Sequence, residues 1–395
     1  MNFRFVYHTL KEGGIEVYLV KLACELASRG HTIEVELTNS KGHSKSLIKE
    51  LRASQITILY PQTYFHWLFG AFLRRENVCE KLIIVTFDWQ SFCYSNSVYG
   101  HARVKLITGV YHIDEWNFSR WIIPKYLTRK IFSRFPASNF FVPDGVVREF
   151  SASHNCHHPP IVPVGISLPN MVNQKVLVCG KPIQIALVAR IVGWKSFLYQ
   201  VVDYLAGATI DYHLTIIGDG LDMASYKQYV LSKLERERVT FRGMLPLHTL
   251  YVEMQSVDCA VSVGTSAPIL SSMGIPTIVG IENSDRKRNI NYGWFSKIDG
   301  LAFHVKNANL EEHSFSLIGE FYQMTSEEII ALKDEHRMKA SRFDLTKTTD
   351  IFLEEASQAK YVHSLVNICR LFICIFFINR VGPTKNRYWT RRVIS

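Results

Sequence analysis

Apolar positions along the first part of the chain alternate between two spacings. Phe3–Tyr7 predicts a short strand. Ile15, Leu19, Leu22, Ala23 and Leu26 then recur at three- and four-residue intervals, which predicts a helix over Ile15–Ser28. Gly30-His31 ends it, and Thr32–Leu37 predicts the next strand. Leu82–Phe87 and Val104–Tyr111 are further runs of strand length, with a shorter one at Phe140–Val142. Strands interleaved with helices indicate βαβ units and a parallel sheet.

The second half repeats the theme. Ile183–Val188 predicts a strand, Phe197–Leu205 a helix, and Tyr212–Ile217 a strand that runs into Gly218-Asp-Gly220. Asp222–Glu237 reads as a helix, Val239–Phe241 as a strand, and Leu247–Ser256 as a helix. Cys259–Val263 is a strand, followed by a short loop and helix and then Pro276–Val279. This is a second doubly wound sheet. Between the halves, His154–Gln174 carries several prolines and few helix formers and reads as the interdomain connection. The expected fold class is α/β with two Rossmann-like domains. The N-terminal domain spans 1–165, the linker 166–181, the C-terminal domain 182–343, a last helix 344–362 and a tail 363–395. Two such domains facing each other form a cleft, a common ligand site.

Length and composition agree with this reading. A chain of 395 residues fits two domains at about 150 residues each. Hydrophobic residues make up 47%, which excludes a disordered chain. The net charge of +10 asks for an anionic partner. No nucleic-acid module and no basic recognition helix is visible, so nucleic acid is not the expected one. Met1-Asn-Phe-Arg-Phe-Val6 does not read as a signal peptide, having neither a long apolar core nor a small-residue cleavage site. None of the eight cysteines forms a Cys-x-x-Cys pair, and Cys24, Cys259, Cys369 and Cys374 lie in apolar segments. Buried thiols in a reducing cytoplasm are the simplest account.

The segment richest in chemistry is Ile185-Ala-Leu-Val-Ala-Arg-Ile-Val-Gly-Trp-Lys195. Arg190 and Lys195 follow a strand into the first turn of a helix, at the sheet edge where ligands bind in open α/β folds. Arginine binds oxygens bidentately and lysine is a compact charge, so the pair suits a diphosphate; a solvated basic loop fits the same residues. Gly13-Gly14 leaves amides at a helix N-terminus open to an anion, or is a plain turn. His112 follows the strand Val104–Tyr111, where an imidazole can donate or accept a hydrogen bond near neutral pH or is simply packed or on the surface; Asp114 and Glu115 come soon after.

In order and spacing these segments resemble the GT-B glycosyltransferases of the retaining family-4 type. The landmarks are Gly13-Gly14-Ile-Glu-Val-Tyr18, Tyr111-His112, Val162-Pro-Val-Gly-Ile166 and Arg190 with Lys195. Further along come Ile216-Ile-Gly-Asp-Gly220, Val239-Thr-Phe-Arg-Gly243, Gly264-Thr-Ser266 and Met273-Gly-Ile-Pro-Thr277. The resemblance implies two Rossmann-like domains facing across a cleft, with a nucleoside-diphosphate sugar of UDP or GDP type as donor. It implies that Arg190 and Lys195 offset charge on the departing diphosphate and that His112 faces the donor sugar. Gly13 and Gly14 would border the diphosphate and acceptor, Gly218 and Gly220 the nucleotide, and Gly243 and Met244 the base. The acceptor would be a glycan or a lipid-linked glycan in bacterial surface polysaccharide synthesis, such as lipopolysaccharide, capsule or exopolysaccharide. Configuration at the anomeric carbon would be retained, and no separate cofactor is implied.

Two departures stand out. Ala189 occupies a position usually held by glycine. Ile269, five residues before Gly274, stands where the family usually has a glutamate that holds the ribose. Isoleucine offers no acceptor. Either Thr265, Ser266 or backbone amides hold the nucleotide, or donor binding is weakened or lost. The alternatives are therefore a catalytically impaired binding protein of this fold and a GT-B sugar epimerase. No metal is expected: Cys156 and His157 of His154-Asn-Cys-His-His158 are adjacent rather than in spaced pairs, and no Asp-x-Asp motif is present.

At the C-terminal end Asp344–Tyr361 reads as a helix, which in the resembled fold crosses back onto the N-terminal domain. Leu371–Ile378 is purely apolar, but His363, Asn367 and Arg370 interrupt the longer segment, which falls short of the ~20 apolar residues a spanning helix needs. Arg380, Lys385, Arg387, Arg391 and Arg392, with Tyr388 and Trp389, suit an anionic membrane interface, or form a basic tail after a docked helix. The expected location is cytoplasmic, with peripheral attachment to the inner face of the plasma membrane under the first of these two readings of the tail.

Overall fold

The computed structural model describes residues 1–11, 13–60, 81–99, 104–111, 135–144, 146–147, 150–151, 156, 158–173, 181–282, 284–298, 300–301 and 313–362. The chain divides into two compact units, one formed by Met1–Gly165 with the segment from Leu345 onward, the other by Ile166–Asp344. Each is an α/β unit around its own sheet.

The first unit runs β1 (Asn2–Tyr7), α1 (Gly14–Ser28), β2 (Thr32–Leu37), α2 (Lys45–Ala53), β3 (Thr57–Leu59), β4 (Leu82–Thr86), α3 (Trp89–Tyr99), β5 (Val104–Gly109) and β6 (Phe140–Phe141). β1 pairs in parallel with β2 on one side, from Asn2↔Thr32 to Tyr7↔Leu37, and with β4 on the other. The chain builds outward from β1 through β2 to β3, then returns to lay down β4 and β5. The order therefore reverses beside β1, and the β1–α1 turn that carries Gly13 and Gly14 sits at that switch point. All five residues of β4 are buried, as a parallel strand covered on both faces requires. Tyr18, Leu19, Leu22, Ala23 and Leu26 form the buried face of α1. Glu36 is buried in β2 and accepts from the Tyr94 and Tyr99 hydroxyls, so the carboxylate is not left unpaired.

The second unit runs β7 (Ile183–Val188), α4 (Phe197–Gly207), β8 (Tyr212–Ile217), α5 (Met223–Lys233), β9 (Val239–Gly243), α6 (Leu247–Glu253), β10 (Cys259–Ser262), α7 (Ser266–Ser272), β11 (Thr277–Gly280), β12 (Asn291–Trp294), α8 (Leu317–Gln323) and α9 (Ser326–Ala340). The sheet order is β12-β11-β10-β7-β8-β9, parallel throughout except for β12, which is antiparallel to β11. Here the order reverses between β7 and β10, so the ligand crevice of such a sheet lies outside the carboxyl ends of those two strands. Segment 166–173 belongs to this unit: Asn173 donates from Nδ2 to the carbonyls of Met254 and Val257, both at 2.8 Å.

After Asp344 the chain returns to the first unit as α10 (Leu345–Gln358) and β13 (Tyr361–Val362). Phe352 on α10 packs against Phe3, Phe5 and Phe141, with ring centroids 5.7, 6.4 and 5.5 Å away. The sequence reads as helix to Tyr361, but the helix stops at Gln358. Asn139 bonds both polar groups of the Lys360 backbone, and Tyr361–Val362 then pairs antiparallel with β5. The predicted Asp222–Glu237 helix likewise ends at Lys233, with extended Glu235 leading into a tight turn at Arg236–Arg238. Among the described residues no helix is long and apolar enough to cross a membrane. The tail 363–395 lies outside the described residues.

Candidate functional site

The site grows from the carboxyl end of β7. Ile185, Ala186 and Leu187 are fully buried, and the chain then turns so that exposed Arg190 stands between buried Ala189 and Ile191. That turn lies along the end of β8. The Ala189 amide donates to the Ile217 carbonyl at 3.1 Å, and the Ile191 amide to the Asp219 carbonyl at 3.0 Å. The two neighbouring glycines make this approach possible. A Cβ on Gly218, whose φ is +140°, would lie 1.8 Å from the Ala189 oxygen, and one on Gly220 would lie 2.0 Å from the Ile191 oxygen. Gly218-Asp-Gly220 thus forms the floor on which the Arg190 turn rests. Its Gly218 amide donates onward to the Gly243 carbonyl at 2.8 Å, tying in the end of β9. Met244, next in the chain, is exposed. Among the described non-glycine residues only Gln55 and His158 have positive φ, so the methyl of Ala189 causes no backbone strain.

Past Arg190 the loop is gripped from both sides. The Gly193 amide donates to Asp222 Oδ2 at 2.6 Å, and its carbonyl accepts from Arg286 Nη2 at 2.6 Å. The Arg286 guanidinium lies 3.8 Å from the centre of the Tyr199 ring. Lys195 is buried, with its ammonium 3.2 Å from Glu282 Oε1 and 5.5 Å from the Trp194 ring. Burial lowers the Lys195 pKa below the ordinary lysine value, Glu282 opposes that shift, and the Arg190 charge adds to it. The two cations therefore feel each other.

The segment after β11 supplies most of this support. Ser196 Oγ donates to the Ile281 carbonyl at 2.9 Å and accepts from the Ser284 amide at 3.0 Å. Gln200 Nε2 donates to the Asp285 carbonyl at 2.6 Å and to Ser284 Oγ at 3.1 Å. Gly280 lets Phe197 pack onto the sheet, since a Cβ there would lie 2.3 Å from the ring.

On the other side of β7, Ser262 Oγ at the end of β10 donates to the Val188 carbonyl at 2.8 Å. Gly264 has φ +66°, and half-buried Thr265 and Ser266 lead into α7. Ile269 is half-buried on that helix, and 264–274 contains no carboxylate. Arg190, Lys195, Gly218, Gly220, Gly243, Met244, Thr265 and Ser266 thus share one sheet edge, at the ends of β7, β8, β9 and β10. Gly13 and Gly14 lie at the matching edge of the first unit. The first turn's own acid lies over Gly13, where a Cβ would be 2.2 Å from Glu16 Oε2. Tyr111 is buried and stacks on Phe87, while His112 lies outside the described residues.

No protein-family description and no curated protein matches the chain. Solved structures do match. HepE from Anabaena in complex with UDP aligns with a TM-score of 0.65 at 15% identity, covering 91% of this chain and 100% of that one. The lipopolysaccharide outer core galactosyltransferase WaaB aligns at 0.60 and 16% identity, covering 91% and 99%. A glycosyltransferase from Rickettsia africae aligns at 0.62 and 16%, covering 91% and 98%. The chain has the GT-B fold.

Within this GT-B chain, sequence reasoning missed Asp222, Glu282, Ser284 and Arg286. Asp222 stands at the start of a helix, as the sequence reads, and its side chain in addition holds Gly193. Glu282 had a usable signal, being an acid placed just after a buried strand at the ligand edge. The metal question rests on fewer residues. Among the described residues no three His, Cys, Asp or Glu side chains are placed to share an ion. Burial raises the Cys156 thiol to about 11, which keeps it protonated, and His154 and His157 lie outside the described residues.

Proposed function

We propose that this chain is a glycosyltransferase that moves a sugar from a nucleoside-diphosphate donor, of UDP or GDP type, to a glycan or lipid-linked acceptor. The observation that carries the reading is the pairing of exposed Arg190 with buried Lys195 at the carboxyl edge of β7, beside the strand-order reversal. The neighbours support it: HepE has been solved with UDP and with UDP-glucose, and WaaB is a lipopolysaccharide outer core galactosyltransferase. By this likeness the acceptor belongs to bacterial surface polysaccharide synthesis.

The chemistry follows from charge. Breaking the bond from the anomeric carbon to the diphosphate leaves negative charge on the departing oxygen. Arg190 can meet two diphosphate oxygens with parallel N–H donors, and Lys195 adds a point charge from a buried, low-dielectric position. Losing one such preorganised donor costs ~2.7–4 kcal/mol of barrier. The departing diphosphate, so held, takes the acceptor hydroxyl proton as the new bond forms on the same face of the sugar. That gives retention without a covalent enzyme intermediate and without a metal. The basic, aromatic tail 363–395 brings the chain to an anionic membrane surface.

Product analysis tests the reading. The protein is incubated with UDP- and GDP-sugars and with lipid-linked or free glycan acceptors. Sugar transfer with release of the nucleoside diphosphate is expected, and nucleotide-sugar turnover without an acceptor would point to an epimerase instead. A second reading, a binding protein without turnover, is favoured by Ile269, which offers no carboxylate at its own position for the ribose. That reading is preferred if neither UDP nor GDP binds. For the tail, liposome co-sedimentation of the full chain against one ending near Tyr361 is expected to show binding only for the full chain, and equal, negligible binding removes the membrane role.

A further inference from the structure

Glu282 is an unexpected neighbour for a cation that is to hold an anion. Its side chain is 10% exposed, that of Lys195 is 11% exposed, and the two charges lie 3.2 Å apart. Among the described residues two charged groups act on the Lys195 ammonium: Glu282 from the segment after β11, and Arg190 from its own loop. The Trp194 ring lies 5.5 Å away, and Asp222 and Arg286 are engaged with Gly193, two residues earlier in the chain. A buried ammonium beside a second cation loses hydration and suffers repulsion, and both favour loss of its proton. Only an opposite charge at close range counters them. The segment bearing that charge is fixed on both flanks, through Ile281 and Ser284 to Ser196 and through Asp285 to Gln200. Glu282 is therefore built into the loop.

We propose that Glu282 is a positioning residue for diphosphate binding, which keeps Lys195 protonated and aimed along the carboxyl edge of β7 before the anion arrives. This rests on the reading of Arg190 and Lys195 as the diphosphate pair. An ammonium has three donors, so one can serve Glu282 while others reach phosphate oxygens. The carboxylate acts in opposite directions at the two ends of the pH range. Toward the acid end of the range Lys195 gains its proton with or without Glu282, and there the carboxylate chiefly repels the incoming anion. At high pH, removing Glu282 lets Lys195 lose its proton earlier, and the anion loses its partner.

The test is calorimetric titration of UDP, and separately of inorganic pyrophosphate, into the full chain between pH 6 and pH 9. Wild type is compared with Glu282→Gln and Glu282→Asp. Taking the ratio of variant to wild type removes the titration of the ligand itself. Glu282→Gln is expected to equal or exceed wild type near pH 6 and to fall about tenfold or more behind by pH 9. Glu282→Asp keeps the charge and follows the wild-type profile to within about threefold. Adding Lys195→Arg to Glu282→Gln abolishes the deficit at pH 9, because arginine keeps its proton. A constant ratio across the range overturns the proposal, because a merely structural role weakens binding equally at every pH. Tighter binding by Glu282→Gln at every pH overturns it too, making the carboxylate a competitor. If Glu282→Gln does not fold, a folded Glu282→Asp with a deficit that grows tenfold toward pH 9 is the overturning result, and one that tracks wild type is the supporting one. Wild type that binds neither ligand at any pH defeats the diphosphate reading itself, whereas wild type that binds both beside a flat Glu282→Gln ratio defeats only the role of Glu282.

Discussion

Arg286 holds the carbonyl of Gly193, 93 residues earlier in the chain, through a 2.6 Å hydrogen bond, with its guanidinium stacked 3.8 Å above Tyr199. The bond fixes the peptide midway between Arg190 and Lys195, so it bears on both cations. Arg286→Ala is expected to raise the donor KM about fivefold and to lower kcat less, since a charge-assisted bond near the surface contributes about 1 kcal/mol. Steady-state kinetics with the nucleotide sugar checks this. Arg286→Lys should not rescue, because an ammonium lacks the planar group that stacks and bonds together.

Arg190 is exposed and flanked by buried residues, so its side chain carries little of the packing. Arg190→Ala should lower turnover by roughly 10²–10³-fold if it meets the departing diphosphate. The melting temperature should move by less than about 2 °C, as for an ordinary surface substitution. Near-normal turnover would misplace the site.

Gly218 and Gly30 separate two costs of replacing a glycine. Both have positive φ, at +140° and +81°, but a Cβ on Gly218 would lie 1.8 Å from the Ala189 oxygen while one on Gly30 meets nothing within 4 Å. Gly30→Ala should cost about 1 kcal/mol from backbone conformation alone. Gly218→Ala should cost more than ~3 kcal/mol, because backbone must move. Denaturant unfolding of the two variants measures the difference.

His336 is fully buried, and burial lowers it to about 4 from 6.5. Its neutral ring sits 2.8 Å from the Leu332 carbonyl. The native state therefore resists protonation that the unfolded chain accepts. The stabilisation is complete above pH 6.5 and is lost as pH falls from there toward 4. Its size is up to ~3 kcal/mol. Denaturant unfolding from pH 7 to pH 4 should show this slope, and His336→Gln should flatten it.

Much of the fold was legible in the sequence because the central strands are continuous apolar runs. Ile183–Val188 and Tyr212–Ile217 have the ends the pattern predicts, and the sheet pairs them residue for residue. Lys45–Ala53 and Trp89–Tyr99 were not legible. The first buries only Leu47 and Leu51, and the second interleaves Gln, Ser and Asn with its apolar positions. In the site, Arg190 and Lys195 could be read because they follow a strong strand directly. Glu282 had only the signal of an acid just after a buried strand, and Arg286 had none. They lie 87 and 93 positions from Lys195 and Gly193, and parallel pairing of β7, β10 and β11 alone brings the strand ends together. Asp222 stands at the helix start as predicted, but its bond to Gly193 was hidden, since an acid at a helix start satisfies the local pattern whatever else it binds.

The central claim is that Arg190 and Lys195 hold a nucleoside diphosphate. Calorimetry of UDP and GDP with wild type and Arg190→Ala tests it most directly. Measurable binding of at least one nucleotide, weakened about tenfold or more in the variant, is the predicted result. Equal affinity in both proteins, or no binding by wild type, would contradict the account.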